Sequence, residues 1–331
     1  MSQKLVMPEA AAPPALEVGG LTVAFEKQGR RVEVVSGVSF SIAAGRTLGV
    51  VGESGCGKTM TSLAVMGLAP ANGQVSGSIR LAGQEMVGAS ERAWADSRGA
   101  RAAMVFQEPM SALNPVMTIG RQIAEVLVRH RRLGWREAHE QAVEALASVG
   151  IPSPALRAKD YPHRLSGGMR QRAMIAIALA CRPAVLVADE PTTALDVTIQ
   201  AQVLDLMVEM QERLGMAIQF ISHNLAVISE IADEIVVMYA GKVVEKAPAD
   251  ELFTSPLHPY TRGLIETLPD PQRRVARLPV IPGAVPKLDV DFRGCRFAGR
   301  CRLADDHCRA VSPELELHAA DHWVACHKVD V

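Results

Sequence analysis

The chain has 331 residues, of which 48% are hydrophobic and 21% are charged. This composition is typical of a globular protein with a large core and excludes disorder over most of the chain. With 35 basic and 36 acidic residues the formal charge is −1, so the overall charge gives no reason to expect nucleic acid as a partner. The longest apolar run, Ala173 to Cys181, is shorter than the roughly 20 residues that span a bilayer. Any membrane role is therefore expected to come through a partner.

The N-terminal quarter of the chain predicts a short tail, an antiparallel pair and then a strand and helix. Prolines and alanines in residues 1–15 predict a disordered tail, and no secretory signal precedes the first strand, which favours a cytoplasmic location. Period-two alternation predicts an antiparallel edge layer with a turn at Gly29-Arg30. The expected elements are strands at Leu16 to Phe25, Val32 to Ile42 and Thr47 to Val51, and a helix at Lys58 to Leu68.

A glycine-rich loop joins that third strand to the helix. Its sequence is Gly52-Glu53-Ser54-Gly55-Cys56-Gly57-Lys58-Thr59, which fits the pattern G-x-x-x-x-G-K-[ST] in the strand, loop, helix context that a phosphate-binding loop requires. The glycines allow backbone N–H groups to surround a β-phosphate, Lys58 is expected to reach the β- and γ-oxygens, and Thr59 to ligate Mg²⁺. The sequence therefore predicts a nucleoside triphosphate site.

The middle of the chain first turns helical and then alternates strands with helices. Apolar stripes predict a helical subdomain at about 108–182, in which Met110 and Met117 are candidates for contact with a membrane partner. Asp196 is the expected N-cap and Gly215 the expected end of a helix from Val197 to Leu214. Strands are expected at Val185 to Ala188, Ala217 to Ile221, Glu234 to Tyr239 and Lys242 to Glu245, the last two joined through Ala240-Gly241. This order predicts an α/β fold with a mainly parallel sheet that has helices on both faces.

Two carboxylates stand at the expected C-terminal end of a buried strand, where ligands gather in open α/β sheets. Asp189 is expected to hold Mg²⁺ through water, and Glu190 to accept a proton from the attacking water or to orient it. Upstream, Leu165-Ser166-Gly167-Gly168-Met169 opens an expected helix from Gly168 to Cys181, whose N-terminus favours anions.

These motifs resemble, in their order, the ATPase subunits of the ABC family. The resemblance covers residues 16 to about 250 and implies an ABC-type P-loop NTPase fold. The matching segments are Gly52 to Thr59 for Walker A, Gln107 for the Q-loop, Leu165 to Met169 for the signature, Val185 to Glu190 for Walker B, Ala194-Leu195-Asp196 for the D-loop and His223 for the switch histidine.

The resemblance also implies roles for single residues. Gln107 is expected at Mg²⁺ or at the attacking water, His223 at the γ-phosphate, and Phe25 in a stack with adenine. Ser166 and Gly168 are expected to reach the ATP of a partner subunit, so that two cassettes pair head to tail and Asp196 helps to join their sites. Catalysis is thus expected from Glu190, His223 and Gln107.

The C-terminal region, 256–331, is expected to be a small cysteine-rich domain. His258-Pro259-Tyr260-Thr261 and Ile281-Pro282-Gly283 resemble the ATP-binding subunits of oligopeptide and dipeptide permeases. Some members of that family bind a [4Fe-4S] cluster in this region, which makes Cys295, Cys301, Cys308 and Cys326 the expected ligands. Zinc, with His307, His322 or His327 in place of a thiolate, and plain reduced cysteines remain alternatives.

The expected function is ATP hydrolysis that energises import of di- and oligopeptides across the cytoplasmic membrane. The expected partners are two transmembrane permease subunits, an extracytoplasmic binding protein and a second, related ATPase subunit, with the chain bound peripherally at the membrane's cytoplasmic face. Importers of nickel, glutathione or peptide antibiotics remain alternatives. A non-transport ABC ATPase is disfavoured because the stretch from Gln107 to Leu165 is too short for a long coiled coil and only one phosphate loop is present. A third hypothesis makes the four cysteines a redox sensor that gates transport.

Overall fold

The structure is a computed structural model that describes residues 13–193, 195–268, 279–288 and 292–329. Apart from positions 13–15, the expected N-terminal tail lies outside the described residues. The described elements comprise two sheets and the helices that cover them. The strands are β1 Leu16–Lys27, β2 Arg30–Ile42, β3 Thr47–Val51, β4 Gly73–Leu81, β5 Gln84–Glu85, β6 Ala102–Val105, β7 Val185–Asp189, β8 Ala217–Ser222, β9 Glu234–Tyr239, β10 Lys242–Pro248, β11 Glu316–Ala319 and β12 His322–Val324.

Helices fill the connections between these strands. They are α1 Lys58–Val65, α2 Glu91–Ser97, α3 Pro109–Ala112, α4 Ile119–Arg131, α5 Trp135–Ser148, α6 Pro154–Arg157, α7 Gly167–Leu179, α8 Val197–Leu214, α9 Leu225–Ile231, α10 Ala249–Thr254, α11 Pro259–Glu266 and α12 Asp306–Ala310, with a 3₁₀ turn at Pro162–Arg164. Among the helices that the structure describes, none has both the length and the apolar character needed to cross a bilayer.

The larger sheet has the strand order β11-β12-β10-β9-β3-β8-β7-β6. Its five strands from β9 to β6 are parallel, whereas β10, β12 and β11 pair antiparallel at one edge. The smaller sheet, β2-β1-β4-β5, is wholly antiparallel. The predicted mainly parallel sheet and antiparallel layer are thus confirmed. Because β3, β8 and β7 are parallel, their carboxyl ends lie at the same edge of the sheet, where ligands bind in folds of this kind.

Most predicted boundaries agree with the observed elements to within a few residues. Asp196 caps α8 by accepting a hydrogen bond from the Ile199 N–H at 2.9 Å, and Gly215 ends the helix in the left-handed region. Helix α1 is shorter than predicted, since Gly67 adopts a φ of 63° and the Leu68 N–H turns back to the Leu63 carbonyl. The chain therefore leaves the helix before Pro70.

The inserted helical region packs its apolar stripes inward. On α4, Ile119, Ile123 and Leu127 are buried, and on α5 Ala142 and Leu146 are buried. Both helices contact each other and α7, which runs back toward the main sheet. Helix α7, which also contacts β6, therefore connects the helical region to the main sheet.

The described C-terminal strands do not form a separate sheet. Strand β12 pairs with β10 through Glu245 opposite Val324 and Lys246 opposite Trp323, so the last strands extend the main sheet. The side chain of Phe297 is buried against Tyr239 and Tyr260 at ring-centroid distances of 5.1 and 5.4 Å. The cysteine-rich segment accordingly shares the core of the cassette.

Candidate functional site

The phosphate-binding loop lies between β3 and α1, and its glycines are required by the backbone. Gly52 has a φ of 151°, and a Cβ atom there would lie 2.2 Å from the Met238 carbonyl oxygen. The side chain of Lys58 is buried and its Nζ donates to the carbonyl oxygens of Gly52 at 2.6 Å and Glu53 at 3.1 Å. The ammonium group is therefore held inside the loop, where it can meet phosphate oxygens.

A hydroxyl and a carboxylate lie next to each other at the C-terminal end of this loop. The Thr59 hydroxyl donates to Asp189 Oδ1 at 3.4 Å. Burial raises the pKa of Asp189, and the neighbouring Glu190 charge acts in the same direction, while the Thr59 hydrogen bond and the Lys58 charge oppose the rise. A hydroxyl and a carboxylate beside a phosphate loop are the ligand types that Mg²⁺ prefers, so these residues fit the predicted metal.

Three side chains converge on one oxygen of Glu190. Gln107 Nε2 donates to Glu190 Oε2 at 3.1 Å, and the Thr193 hydroxyl donates to the same oxygen at 2.9 Å. His223 Nδ1 lies 3.1 Å from it. Glu190 itself has a φ of 48°, a left-handed conformation that is uncommon for a non-glycine residue and is typical of functional sites. The structure thus brings together the three predicted catalytic residues.

Thr193 is a member of this cluster that sequence reasoning missed. It stands three residues after Glu190 in a turn whose Thr193 N–H donates to the Glu190 carbonyl. The available signal was a hydroxyl residue close to a candidate base, which is too common in turns to single out a site.

A cavity of about 730 Å³ joins the loop to this cluster, and its lining includes Gln107, Glu190 and His223. A second cavity, of about 580 Å³, borders the loop at Ser54 and Gly55, and its lining includes Phe25 and Val285 to Leu288. Phe25 therefore faces a space beside the phosphate loop, where a nucleotide base has room.

The signature segment lies elsewhere. The Ser166 hydroxyl caps α7 by accepting a hydrogen bond from the Met169 N–H at 3.4 Å, and the helix begins at Gly167, one residue earlier than predicted. In the part of the chain that the structure describes, Leu165 to Met169 do not line the cavity around Lys58. Of the predicted D-loop, Ala194 lies outside the described residues, and Asp196 is the N-cap of α8.

The four C-terminal cysteines line one cavity. Cys295, Cys301, Cys308 and Cys326 border a space of about 20 Å³ together with His327. Burial raises the pKa of Cys295 and of Cys326, and neighbouring thiols add to the rise in both. Four sulfur donors suit an iron–sulfur cluster, yet among the described residues no three His, Cys, Asp or Glu side chains are arranged to hold a metal ion. The geometry thus gives the predicted cluster no direct support.

Two of the histidines weighed as zinc ligands have other contacts. His322 is buried and its Nε2 lies 2.8 Å from Glu245 Oε1, away from the cysteine cavity. His307 packs edge-on against His327 at 4.4 Å between ring centroids. Of the three, only His327 borders the thiols in the described structure.

The permease-like motif contacts the nucleotide site, which the sequence did not predict. His258 Nδ1 accepts the Tyr260 N–H at 3.0 Å and so caps α11. This places the Tyr260 hydroxyl 2.9 Å from the backbone nitrogen of Glu53, within the phosphate loop. Tyr260, which belongs to the permease-like motif of the C-terminal region, thus contacts the Walker A segment.

Comparison with known proteins gives the class of this fold and site. The pattern of the ABC transporter family matches residues 35–193. The C-terminal region of oligopeptide/dipeptide transporters matches residues 244–308. The chain is 48% identical over 313 residues to the oligopeptide transport ATP-binding protein AppD of Bacillus subtilis, covering 94% of this chain and 95% of that protein.

Solved structures of ATP-binding cassettes share the fold. The dimeric post-hydrolysis state of the cassette MJ0796, bound to ADP and Pi, superposes with a TM-score of 0.63 at 23% identity over 71% of this chain and 98% of that one. CbiO1 from Clostridium perfringens, part of the transporter complex cbiONQ, gives a TM-score of 0.62 at 25% identity over 73% and 91%. The identity to AppD over most of the chain, together with the family match at residues 35–193, shows that the chain belongs to the ABC transporter family of ATPases. Within that family, its C-terminal region is of the oligopeptide/dipeptide transporter type, and the resemblance stated from the sequence is confirmed.

Proposed function

We propose that this chain is the ATP-hydrolysing subunit that energises import of di- and oligopeptides through separate transmembrane subunits. The observation that carries the ATPase assignment is the convergence of Gln107, Thr193 and His223 on Glu190, beside the loop that holds Lys58. The name of AppD and the C-terminal match support peptide as the cargo. Nickel, glutathione and peptide antibiotics are the alternative cargoes.

The proposed chemistry assigns each group a task. The loop from Gly52 to Thr59 binds the phosphates, and Thr59, Asp189 and Gln107 would hold Mg²⁺, which neutralises phosphate charge when bound. Glu190 takes the proton of the attacking water. Its Oε2 is fixed by three neighbours, so the carboxylate is oriented before the substrate arrives.

The change Glu190→Gln tests this assignment. The amide keeps the size of the side chain and loses the base, so we expect ATP turnover to fall by about 10²- to 10⁴-fold while ATP still binds. Turnover by the purified transporter and binding of a fluorescent ATP analogue are the measurements. Unchanged turnover would remove Glu190 from the role of base.

Several partner assignments belong to the same proposal. The signature residues Ser166 and Gly168 serve ATP held by a second cassette, a related chain rather than an identical one, and Asp196 lies where the two sites join. The predicted contacts Met110 and Met117 lie beside the Gln107 segment, Met110 exposed and Met117 half-buried. Together with the exposed Val116 they form the docking face for a membrane subunit at the cytoplasmic face of the membrane. An extracytoplasmic binding protein delivers the solute.

Purification of the native complex, with mass spectrometry of its subunits and its bound solute, tests cargo and pairing together. We expect peptides and two different ATPase chains. Bound nickel, glutathione or a peptide antibiotic would replace peptide as the cargo, and a single ATPase chain would refute the heterodimer.

A [4Fe-4S] cluster held by Cys295, Cys301, Cys308 and Cys326 is a separate proposal. It rests on the resemblance to family members that bind such a cluster and on the four cysteines that border one cavity. Iron and sulfide analysis of anaerobically purified protein is the test. Stoichiometric zinc without iron would overturn the cluster in favour of a zinc site.

A further inference from the structure

The cysteine-rich segment reaches the phosphate-binding loop through one ion pair. Arg300 Nη1 lies 2.5 Å from Glu53 Oε2, and Arg300 Nη2 lies 3.0 Å from Glu53 Oε1. The Arg300 side chain is 6% exposed and that of Glu53 32% exposed, so the pair is largely withdrawn from solvent. A bidentate pair of this kind fixes direction as well as distance. It joins residues 247 positions apart in the sequence.

The same guanidinium group holds two further segments. Its Nε donates to the Pro282 carbonyl at 2.8 Å and its Nη2 to the Ile281 carbonyl at 3.2 Å. Its Nη1 also lies 3.4 Å from the Tyr239 hydroxyl at the end of β9. These contacts use the rigid fork of N–H donors, a geometry that lysine cannot reproduce. Residues 281 and 282 lead directly to Val285 to Leu288, which line the same cavity as Phe25.

Glu53 is also held through its backbone. Its N–H donates to the Tyr260 hydroxyl at 2.9 Å, and its carbonyl oxygen accepts from Lys58 Nζ at 3.1 Å. Tyr260 is fully buried and packs edge-on against Tyr239 at 4.7 Å between ring centroids. The residue that pairs with Arg300 therefore also orients the lysine that faces the phosphates. A shift of Glu53 moves the Lys58 contact with it.

We propose that Arg300 is a positioning residue for ATP, which fixes the phosphate-binding loop through Glu53 and the base-side wall through the Ile281 and Pro282 carbonyls. This inference rests on the proposed role of Gly52 to Thr59 as the phosphate-binding loop. It assigns the C-terminal segment a direct part in nucleotide affinity. A purely structural ion pair would secure that segment and leave the affinity of the folded protein unchanged.

The test is the affinity of the purified full-length chain for Mg-ATP, measured by isothermal titration calorimetry, in Arg300→Gln, Glu53→Gln and the double variant. We expect Glu53→Gln to raise Kd about tenfold and Arg300→Gln at least as much, because Arg300→Gln also removes the contacts with the Ile281 and Pro282 carbonyls. The double variant should match Arg300→Gln, since the pair is already lost in that variant. Arg300→Lys restores the charge without the fork and should recover little of the affinity. Additive losses in the double variant would refute the coupling.

Matched controls separate the possible failures. Arg309→Gln removes an exposed guanidinium of the same segment, which lies 3.8 Å from Asp306, and should leave Kd unchanged. If Arg300→Gln does not fold, Glu53→Gln still tests the pair, since the other Arg300 contacts remain. A lower melting temperature with an unchanged Kd in either variant would overturn the inference. Lys58→Ala is the reference: normal ATP binding by that variant would refute the phosphate-loop assignment itself.

Discussion

Glu245 is the acceptor at the centre of a buried network, and its removal should strongly destabilise the fold. The side chain is fully buried on β10. It accepts the backbone N–H groups of Leu257 at 2.7 Å and His258 at 3.0 Å, and His322 Nε2 lies 2.8 Å away. Glu245→Ala leaves all three nitrogens without this acceptor.

The expected cost follows from those three contacts. Each buried donor left without a partner costs about 1–3 kcal/mol. Glu245→Ala leaves three such nitrogens, so we expect it to lower the free energy of unfolding by at least about 3 kcal/mol, a large fraction of the roughly 5–15 kcal/mol typical of a folded protein.

Equilibrium urea unfolding followed by far-UV circular dichroism measures this change. Glu251→Ala is the matched control, since Glu251 lies 3.9 Å from the other ring nitrogen of His322 but is 46% exposed. That control should change the free energy of unfolding by no more than about 0.5 kcal/mol. Equal effects of the two substitutions would show that proximity to His322, and not burial, determines how much Glu245 contributes to the free energy of unfolding, and would refute the reasoning.

Three further predictions concern pH, the loop and the membrane partner. Burial lowers the pKa of His258 to about 3. Between about pH 6.5 and pH 3 the unfolded state therefore binds a proton at this residue that the folded state does not bind. The free energy of unfolding should accordingly fall by about 1.4 kcal/mol for each unit by which the pH drops across that range. His258→Asn, which keeps a capping side chain, should remove this pH dependence when the free energy of unfolding is measured with urea at several pH values. The same pH dependence in the variant and in the unchanged protein would contradict the prediction. Gly52→Ala should lower ATP affinity at least about tenfold in titration calorimetry, because its Cβ meets the Met238 carbonyl, whereas Gly134→Ala, with open space around it, should have no effect. Val116→Glu, at a position 79% exposed, should reduce co-purification with the membrane subunits without changing ATP binding; full recovery of the complex would exclude this face.

Much of the cassette could be predicted because local signals and the fold agree. Helix α8 has a capping Asp196, an apolar stripe and a terminal Gly215, and each was visible in the sequence. The phosphate loop was recognisable for a similar reason, since glycines, lysine and hydroxyl occur at fixed spacing between a strand and a helix.

What the sequence did not predict depends on long-range pairing. Strand β12 is three residues long, which is too short to show a periodicity of its own, and it gains its place by pairing with β10 and β11. The Arg300–Glu53 pair links an arginine among cysteines to a loop residue that the motif leaves unspecified. Neither partner carries a local signal for the other, and only the folded chain brings them together.

The position of β12 affects how the protein is made on the ribosome. Strands β3 and β6 to β9 are complete once residue 239 has been synthesised, but β10 has no outer neighbour until residues 322–324 follow. Until then the growing chain presents an open sheet edge, which is a known starting point for aggregation. Residues 322–324 therefore cover the β10 edge only after all the other described strands have been synthesised.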